Sequence, residues 1–256
     1  MSTAAVPTGA TTLVVAIDGP SGSGKSSVSR RVAQTLGLAY LDTGAMYRAA
    51  TVWCVREGVD LDDAAAVAAA VRAMPLVMGV DPAAPGVLLG DDDVAEAIRA
   101  TEVSSVVSKV ATNLDVRAHL LDLQRAEIAA QKTAGSFSGG RGVVAEGRDI
   151  TTVVAPDADV RILLVASEEA RLARRSLEVH GAADAAAVEA TRDQVLRRDR
   201  DDSTVSNFLV ASDGVVTVDS SDLGFLETID AVLDVVCDVA GVVRPDDSPT
   251  SSAHHG

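Results

Sequence analysis

Leu13-Val14-Val15-Ala16-Ile17-Asp18-Gly19-Pro20-Ser21-Gly22-Ser23-Gly24-Lys25-Ser26 is the stretch on which the fold turns. Its last eight residues fit the phosphate-loop pattern G-x-x-x-x-G-K-[ST] at every fixed position. The apolar run Leu13 to Ile17 reads as a buried strand, and Ser26 to Leu36 as the helix that follows. Glycines let the backbone turn tightly, so that successive N–H groups face a polyphosphate lying on the positive end of that helix. Gly19, Pro20, Ser21, Gly22, Ser23, Gly24, Lys25, Ser26 and Ser27 are therefore the candidate phosphate-binding residues. Lys25 would reach the β and γ phosphates, and the Ser26 hydroxyl would ligand Mg²⁺. A flexible Gly/Ser turn is the bland alternative, and the strand before it and helix after it speak against that.

Outward from this loop, apolar runs alternate with helical patterns. Leu38 to Leu41, Val143 to Ala145, Val160 to Val165 and Val215 to Val218 join the first run as strands, five in all. Such alternation predicts an α/β fold of three layers, a five-stranded parallel sheet between helices, with ligands beyond the carboxyl ends of the strands. Two excursions interrupt it. Asp62 to Met74 reads as a helix stopped by Pro75, and Leu76 to Val80 and Val87 to Gly90 flank a hairpin turn, Asp81 to Gly86. This places an inserted lobe at about 57–110. Ser167 to Arg200 reads as two helices broken at His180-Gly181-Ala182, a lid region over about 167–202. The main domain spans 13–244, and 1–12 and 245–256 read as disordered tails.

The net charge of −15 argues against nucleic acid or an anionic membrane as the main partner. From Glu57 to Glu102 ten acidic residues face two arginines, so the inserted lobe carries much of that charge. No apolar run is long enough to span a bilayer and no leader pattern opens the chain, so a cytoplasmic protein is expected. With 47% hydrophobic but only 2% aromatic residues, the core must be built from Val, Leu, Ile and Ala. Cys54 and Cys237 sit in apolar helical patterns and read as core residues, not as a disulfide.

Three further clusters follow strands. In Asp42-Thr43-Gly44-Ala45-Met46-Tyr47-Arg48, Thr43 reads as the N-cap of a helix running to about Val55, with Arg48 placed to hold an anion or to be solvated on the surface. In Glu146-Gly147-Arg148-Asp149, an acid and a base follow a central strand, where they serve a ligand or pair with each other. Arg171, Arg174 and Arg175 share one helical face. They read as a lid closing over transferring phosphates, with a solvated face paired to Glu168, Glu169 and Glu178 as the other reading.

Together these elements resemble the nucleoside monophosphate kinases, and among them the bacterial cytidylate kinases. The resemblance rests on Ile17 to Lys25, on Leu41 to Arg48, on Gly147-Arg148-Asp149-Ile150-Thr151-Thr152-Val153-Val154, and on the acidic hairpin segment, and it extends from about Leu13 to Val239. It implies an ATP-dependent kinase of CMP or dCMP that uses Mg²⁺ and acts as a monomer, with Lys25, Arg148, Arg171, Arg174 and Arg175 serving catalysis. Thr43 and Arg48 would then bind the acceptor's monophosphate. Ser108, Arg117 and Asp149 would read the cytosine, Arg148 would touch phosphate, and Arg198 and Asp202 would meet ribose and phosphate. Two positions depart from the family: Thr151 replaces a glycine, and Val205 stands where an arginine is usual, with no arginine between Arg200 and Arg244.

Cytosine offers an amine donor beside acceptors; Asp149 supplies acceptors, Arg117 donors, and Ser108 either. Of the rival readings, a GTPase lacks its N-K-x-D signature. UMP is an alternative acceptor, and a kinase of a shikimate-like acceptor would use Gly139-Gly140-Arg141-Gly142 as an acceptor loop. A passive nucleotide-binding module would bind without turnover.

Overall fold

The computed structural model describes residues 12–180 and 185–244. Most of the two expected tails thus lies outside the described residues. Thr12 is an exception, its hydroxyl donating to the Gly140 carbonyl at 2.9 Å. The phosphate-loop strand, β1 (Leu13–Asp18), is buried along its whole length. It is central in a sheet formed with β2 (Ala39–Asp42), β6 (Gly142–Gly147), β7 (Val160–Val165) and β8 (Val216–Asp219), in the order β2-β6-β1-β7-β8. Every pairing is parallel, as the alternating pattern predicts.

Because successive strand residues point to opposite faces, the strands divide the core in two. Val14, Ala16, Leu41, Val143 and Ala145 pack with α2 (Thr43–Arg56), α3 (Ala64–Arg72), α4 (Thr101–Ala111) and α5 (Leu114–Ala130). Leu13, Val15, Ile17 and Val144 pack with α1 (Lys25–Leu36) and α8 (Phe225–Ala240). Valine, leucine, isoleucine and alanine carry both clusters, as the scarcity of aromatics requires. Cys54 is buried and Cys237 half-buried, and no disulfide joins them.

The inserted lobe holds α3, a small antiparallel sheet and α4. That sheet has three strands, β3 (Leu76–Met78), β4 (Val87–Leu89) and β5 (Asp92–Asp93), one more than the expected hairpin. The lobe is stitched to the main domain at several points. The Tyr40 amide donates to the Val80 carbonyl at 2.9 Å. Arg30 and Gln34 of α1 donate to the Pro82 carbonyl at 2.5 and 2.9 Å. The Trp53 indole N–H of α2 donates to the Ala70 carbonyl of α3 at 2.9 Å. The segment 167–202 holds the two expected helices, α6 (Glu168–His180) and α7 (Ala185–Asp202); part of the expected break between them, 181–184, lies outside the described residues.

One local expectation is corrected. Asp42, not Thr43, caps α2: its carboxylate accepts the Ala45 amide at 2.9 Å, and Thr43 is the first helical residue. Both residue types cap well, but Asp42 still has the extended backbone a cap needs. The Thr43 hydroxyl is thereby free of capping and donates to the Glu146 carbonyl at 2.8 Å.

Candidate active site

Parallel register brings the strand ends together: Asp18 lies beside Gly147, Ile17 beside Glu146, and Asp42 beside Glu146. Above them opens a cleft of about 980 Å³. Ser21, Gly22, Gly24, Lys25, Ser26 and Ser27 of the phosphate loop line it, whereas Gly19, Pro20 and Ser23 lie behind as buried backbone support. Gly22 has no substitute: its φ is 78°, and a Cβ there would come within 2.6 Å of the Arg171 carbonyl. Gly147 is held to glycine by space alone, since a Cβ there would stand 2.4 Å from Thr43 Oγ1.

Lys25 Nζ reaches the Pro20 carbonyl at 3.4 Å and stands 3.9 Å from Glu146 Oε2. The Ser26 hydroxyl donates to Glu146 Oε1 at 2.6 Å, and the Tyr40 hydroxyl reaches the same oxygen at 3.2 Å. Burial first, and then the neighbouring Asp42 carboxylate, push the Glu146 carboxyl up to about 7, against the opposing pull of Lys25. Asp18, 1% exposed, is also pushed up by burial. It accepts the Ile150 and Thr151 amides at 2.9 and 2.8 Å and the Thr151 hydroxyl at 2.7 Å. Thr151 thus satisfies a buried carboxylate. It sits in the π-helical turn Ile150–Val154 that follows Asp149.

On the lobe side of the cleft, Arg48 Nη1 donates to the Ile98 carbonyl at 3.1 Å and to Ser104 Oγ at 2.9 Å. Arg117 is paired with Asp149 and lies 5.7 Å from the Tyr47 ring centroid. Burial raises the Asp149 carboxyl more than Arg117 lowers it. Thr43, Arg48, Arg117, Arg148, Asp149 and Asp202 all line the cleft. Arg148 is held by Asp202 at 3.1 Å, by the Gly19 carbonyl, and by the Phe208 ring 4.5 Å from its guanidinium carbon.

Other expected residues are not brought to the cleft. Ser108 is half-buried behind it, while Val107 and Ala111 of the same helix face it and Ser104, one turn earlier, holds Arg48. Of the three arginines expected to share a lid face, only Arg175 lines the cleft. Arg171 is 8% exposed, paired with Asp199 and bonded to the Ser21 carbonyl at 2.9 Å. Arg174 spends its N–H groups on Ser220, on the Leu223 carbonyl and on the Ser23 carbonyl of the loop. A common helical face keeps residues together without saying where the face points, and here part of it packs on the loop behind the cleft. The Arg198 side chain lies outside the described residues. Val205 is half-buried away from the cleft, and its neighbour Ser206 lines it instead.

The rival acceptor loop is excluded by position. Gly139 to Gly142 enter β6 at its amino end, a strand's length of about 17 Å from the phosphate-loop end of the sheet. Sequence reasoning gave no role of their own to Glu146, Asp18 and Asp199. The first two stand at ends of buried strands, where a charged residue is itself a signal; Asp199 is hidden inside the run Arg198 to Asp202.

Residues 15–238 match the family model described as cytidylate kinase. The chain is 48% identical over 237 residues to a cytidylate kinase of Streptomyces coelicolor, covering 92% of this chain and 97% of that one. A cytidylate kinase of Nocardia farcinica is 49% identical over 231 residues, with coverage of 88% and 94%. One from Streptomyces avermitilis is 46% identical over 225 residues, with coverage of 88% and 92%.

Proposed function

This chain belongs to the cytidylate kinase family, and from that premise we propose how its residues divide the work of moving the γ-phosphoryl group of ATP to CMP or dCMP. The observation that carries the assignment is one cleft shared by the phosphate loop and the Arg117–Asp149 pair. Donor and acceptor then meet between Lys25 and Arg148, both of which line it.

ATP enters as its magnesium complex, the metal belonging to the substrate. The Ser26 hydroxyl and the Glu146 and Asp42 carboxylates are the oxygen donors a hard cation takes. The neighbouring carboxylates, whose repulsion helps raise Glu146, gain from a divalent charge beside them. Bound there, the ion neutralises charge on the transferring phosphates. Lys25 and the loop's N–H groups hold the β and γ phosphates. Arg48 and Thr43 hold the acceptor's phosphate, and Asp202 and Arg198 its ribose. Arg117 and Asp149 read the cytosine edge, with Tyr47 beside them. Arg148 bridges the two substrates, and Arg175 closes from the lid. Arg171 and Arg174 brace the loop and the lid. Most of the rate comes from positioning and charge neutralisation, with no covalent intermediate.

In this reading 57–110 is the acceptor lobe and 167–202 the lid. One chain supplies every group named, so the working unit is the monomer. No helix among the described residues is long and apolar enough to cross a membrane, and a cytoplasmic enzyme fits the ATP and CMP it uses. The test is ADP release with Mg·ATP and CMP, dCMP, UMP, AMP or shikimate as acceptor. Turnover confined to CMP and dCMP, with at most slow UMP, is expected; preference for another acceptor refutes the Arg117–Asp149 assignment, and silence across the panel refutes the reaction.

A further inference from the structure

Asp199, on the lid helix α7, is 7% exposed and does not line the cleft. Its Oδ1 accepts the Ser21 amide at 2.9 Å and stands 3.3 Å from Arg148 Nη2. Its Oδ2 is paired with Arg171 Nη1. Each of those arginines also turns an N–H to the phosphate loop's own backbone, Arg148 to the Gly19 carbonyl and Arg171 to the Ser21 carbonyl. Gly19 C=O, Ser21 N–H and Ser21 C=O are therefore all tied to one carboxylate, directly or through one arginine.

We propose that Asp199 is a positioning residue for the donor side of the reaction, holding the entry of the phosphate loop in shape and linking that shape to the lid. The proposal rests on the phosphoryl-transfer reading above. A loop binds polyphosphate through the direction of its N–H groups, and direction in a Gly/Ser-rich segment must be imposed by contacts. An ionised carboxylate between two guanidiniums does this firmly, because the burial that makes the charges costly makes their separation costlier. On the acceptor side, Arg48, Thr43, Arg117 and Asp149 make no contact with Asp199 among the described hydrogen bonds and ion pairs. Arg148 keeps Asp202 as a second anchor. Because Asp199 touches the phosphate loop directly and the acceptor side only through Arg148, its effect should fall far more heavily on ATP than on CMP.

The experiment is steady-state kinetics of the full chain, varying Mg·ATP at saturating CMP and then the reverse, on the wild type, Asp199→Asn, Asp199→Glu and the control Asp201→Asn. Asp199→Asn keeps the shape and removes the charge; KM for ATP is expected to rise about 10- to 100-fold while KM for CMP stays within about threefold. Asp199→Glu, which keeps the charge, should lie between Asn and wild type, and Asp201→Asn should match wild type. A merely structural role would lower the melting temperature and scale the rate equally at all substrate concentrations. An unchanged KM for ATP, or an equal rise in both KM values, overturns the proposal. If the Asn variant is not recovered folded, the Glu variant carries the same comparison. Wild-type turnover of CMP in the same series separates the two ideas, since its absence would sink the reaction assignment and not only the role of Asp199.

Discussion

Replacing Asp149 by Asn exchanges one carboxylate oxygen for an NH₂ at almost constant volume, in a side chain only 11% exposed. Two things change. Arg117 loses the charge of its partner, a cost borne whichever base is bound. Facing the cytosine amine, a charge-assisted acceptor becomes an amide, a loss of about 1.5 to 3 kcal/mol, or roughly 10- to 150-fold in kcat/KM. Facing uracil, the new NH₂ can donate to O4, removing an unpaired acceptor–acceptor contact of about 1 to 3 kcal/mol. Because the Arg117 cost is common to both substrates, it cancels in the ratio of kcat/KM for CMP to that for UMP. That ratio should therefore fall by on the order of 10² to 10⁴. Coupled ADP-release assays at saturating Mg·ATP, with each acceptor varied, measure it directly. Should both kcat/KM values drop by the same factor, Asp149 only braces Arg117 and the base-reading argument is wrong.

Lys25→Ala should remove nearly all turnover while the melting temperature moves by no more than a few degrees, since the loop's shape is held chiefly by Asp199, Arg148 and Arg171 and not by Lys25; near-normal activity would refute the phosphate-loop assignment. Thr151→Val keeps the volume but takes a hydroxyl from the buried Asp18 carboxylate, which should cost about 1 to 3 kcal/mol in denaturant unfolding; an unchanged midpoint would show that the two backbone amides suffice. Asp149 also predicts a pH effect. Its folded carboxyl is raised above 3.8 by burial, so its contribution to stability is present below the unfolded value and lost as pH rises through the folded one. Asp149→Asn should flatten the pH dependence of unfolding just above pH 3.8, and denaturant titrations across pH 3 to 6 that superpose with wild type would contradict this.

The sheet was legible because buried parallel strands write themselves as short β-branched runs, and the phosphate loop because its constraints are local to eight residues. Cap identity at Asp42 and Thr43 was not, since both side chains can cap and the backbone decides. Ser108, expected beside the cytosine, lies half-buried behind the cleft, whereas Ser104, one turn earlier on the same face, is the serine that holds Arg48; a shared face does not say which turn meets the cleft. Arg171 and Arg174 misled for a related reason. Their spacing fixes a common face, but whether that face meets solvent, ligand or protein depends on packing between segments some 150 residues apart. Asp199 is the extreme case. Its meaning lies entirely in its partners Ser21, Arg148 and Arg171, and no local pattern encodes such a meeting.

The hydrogen bond from Trp53 to Ala70 has a spectroscopic consequence. With one tryptophan in the chain, every photon of indole emission comes from the seam between α2, the helix carrying Arg48, and α3, the first helix of the inserted lobe. Indole emission depends on what its N–H donates to, so any shift of the lobe against α2 changes the colour or yield of that light. Events confined to the far face of the sheet, where α1 and α8 pack, leave it dark to change. The protein thus carries its own optical gauge of any movement at that seam, readable in a stopped-flow cell without a label.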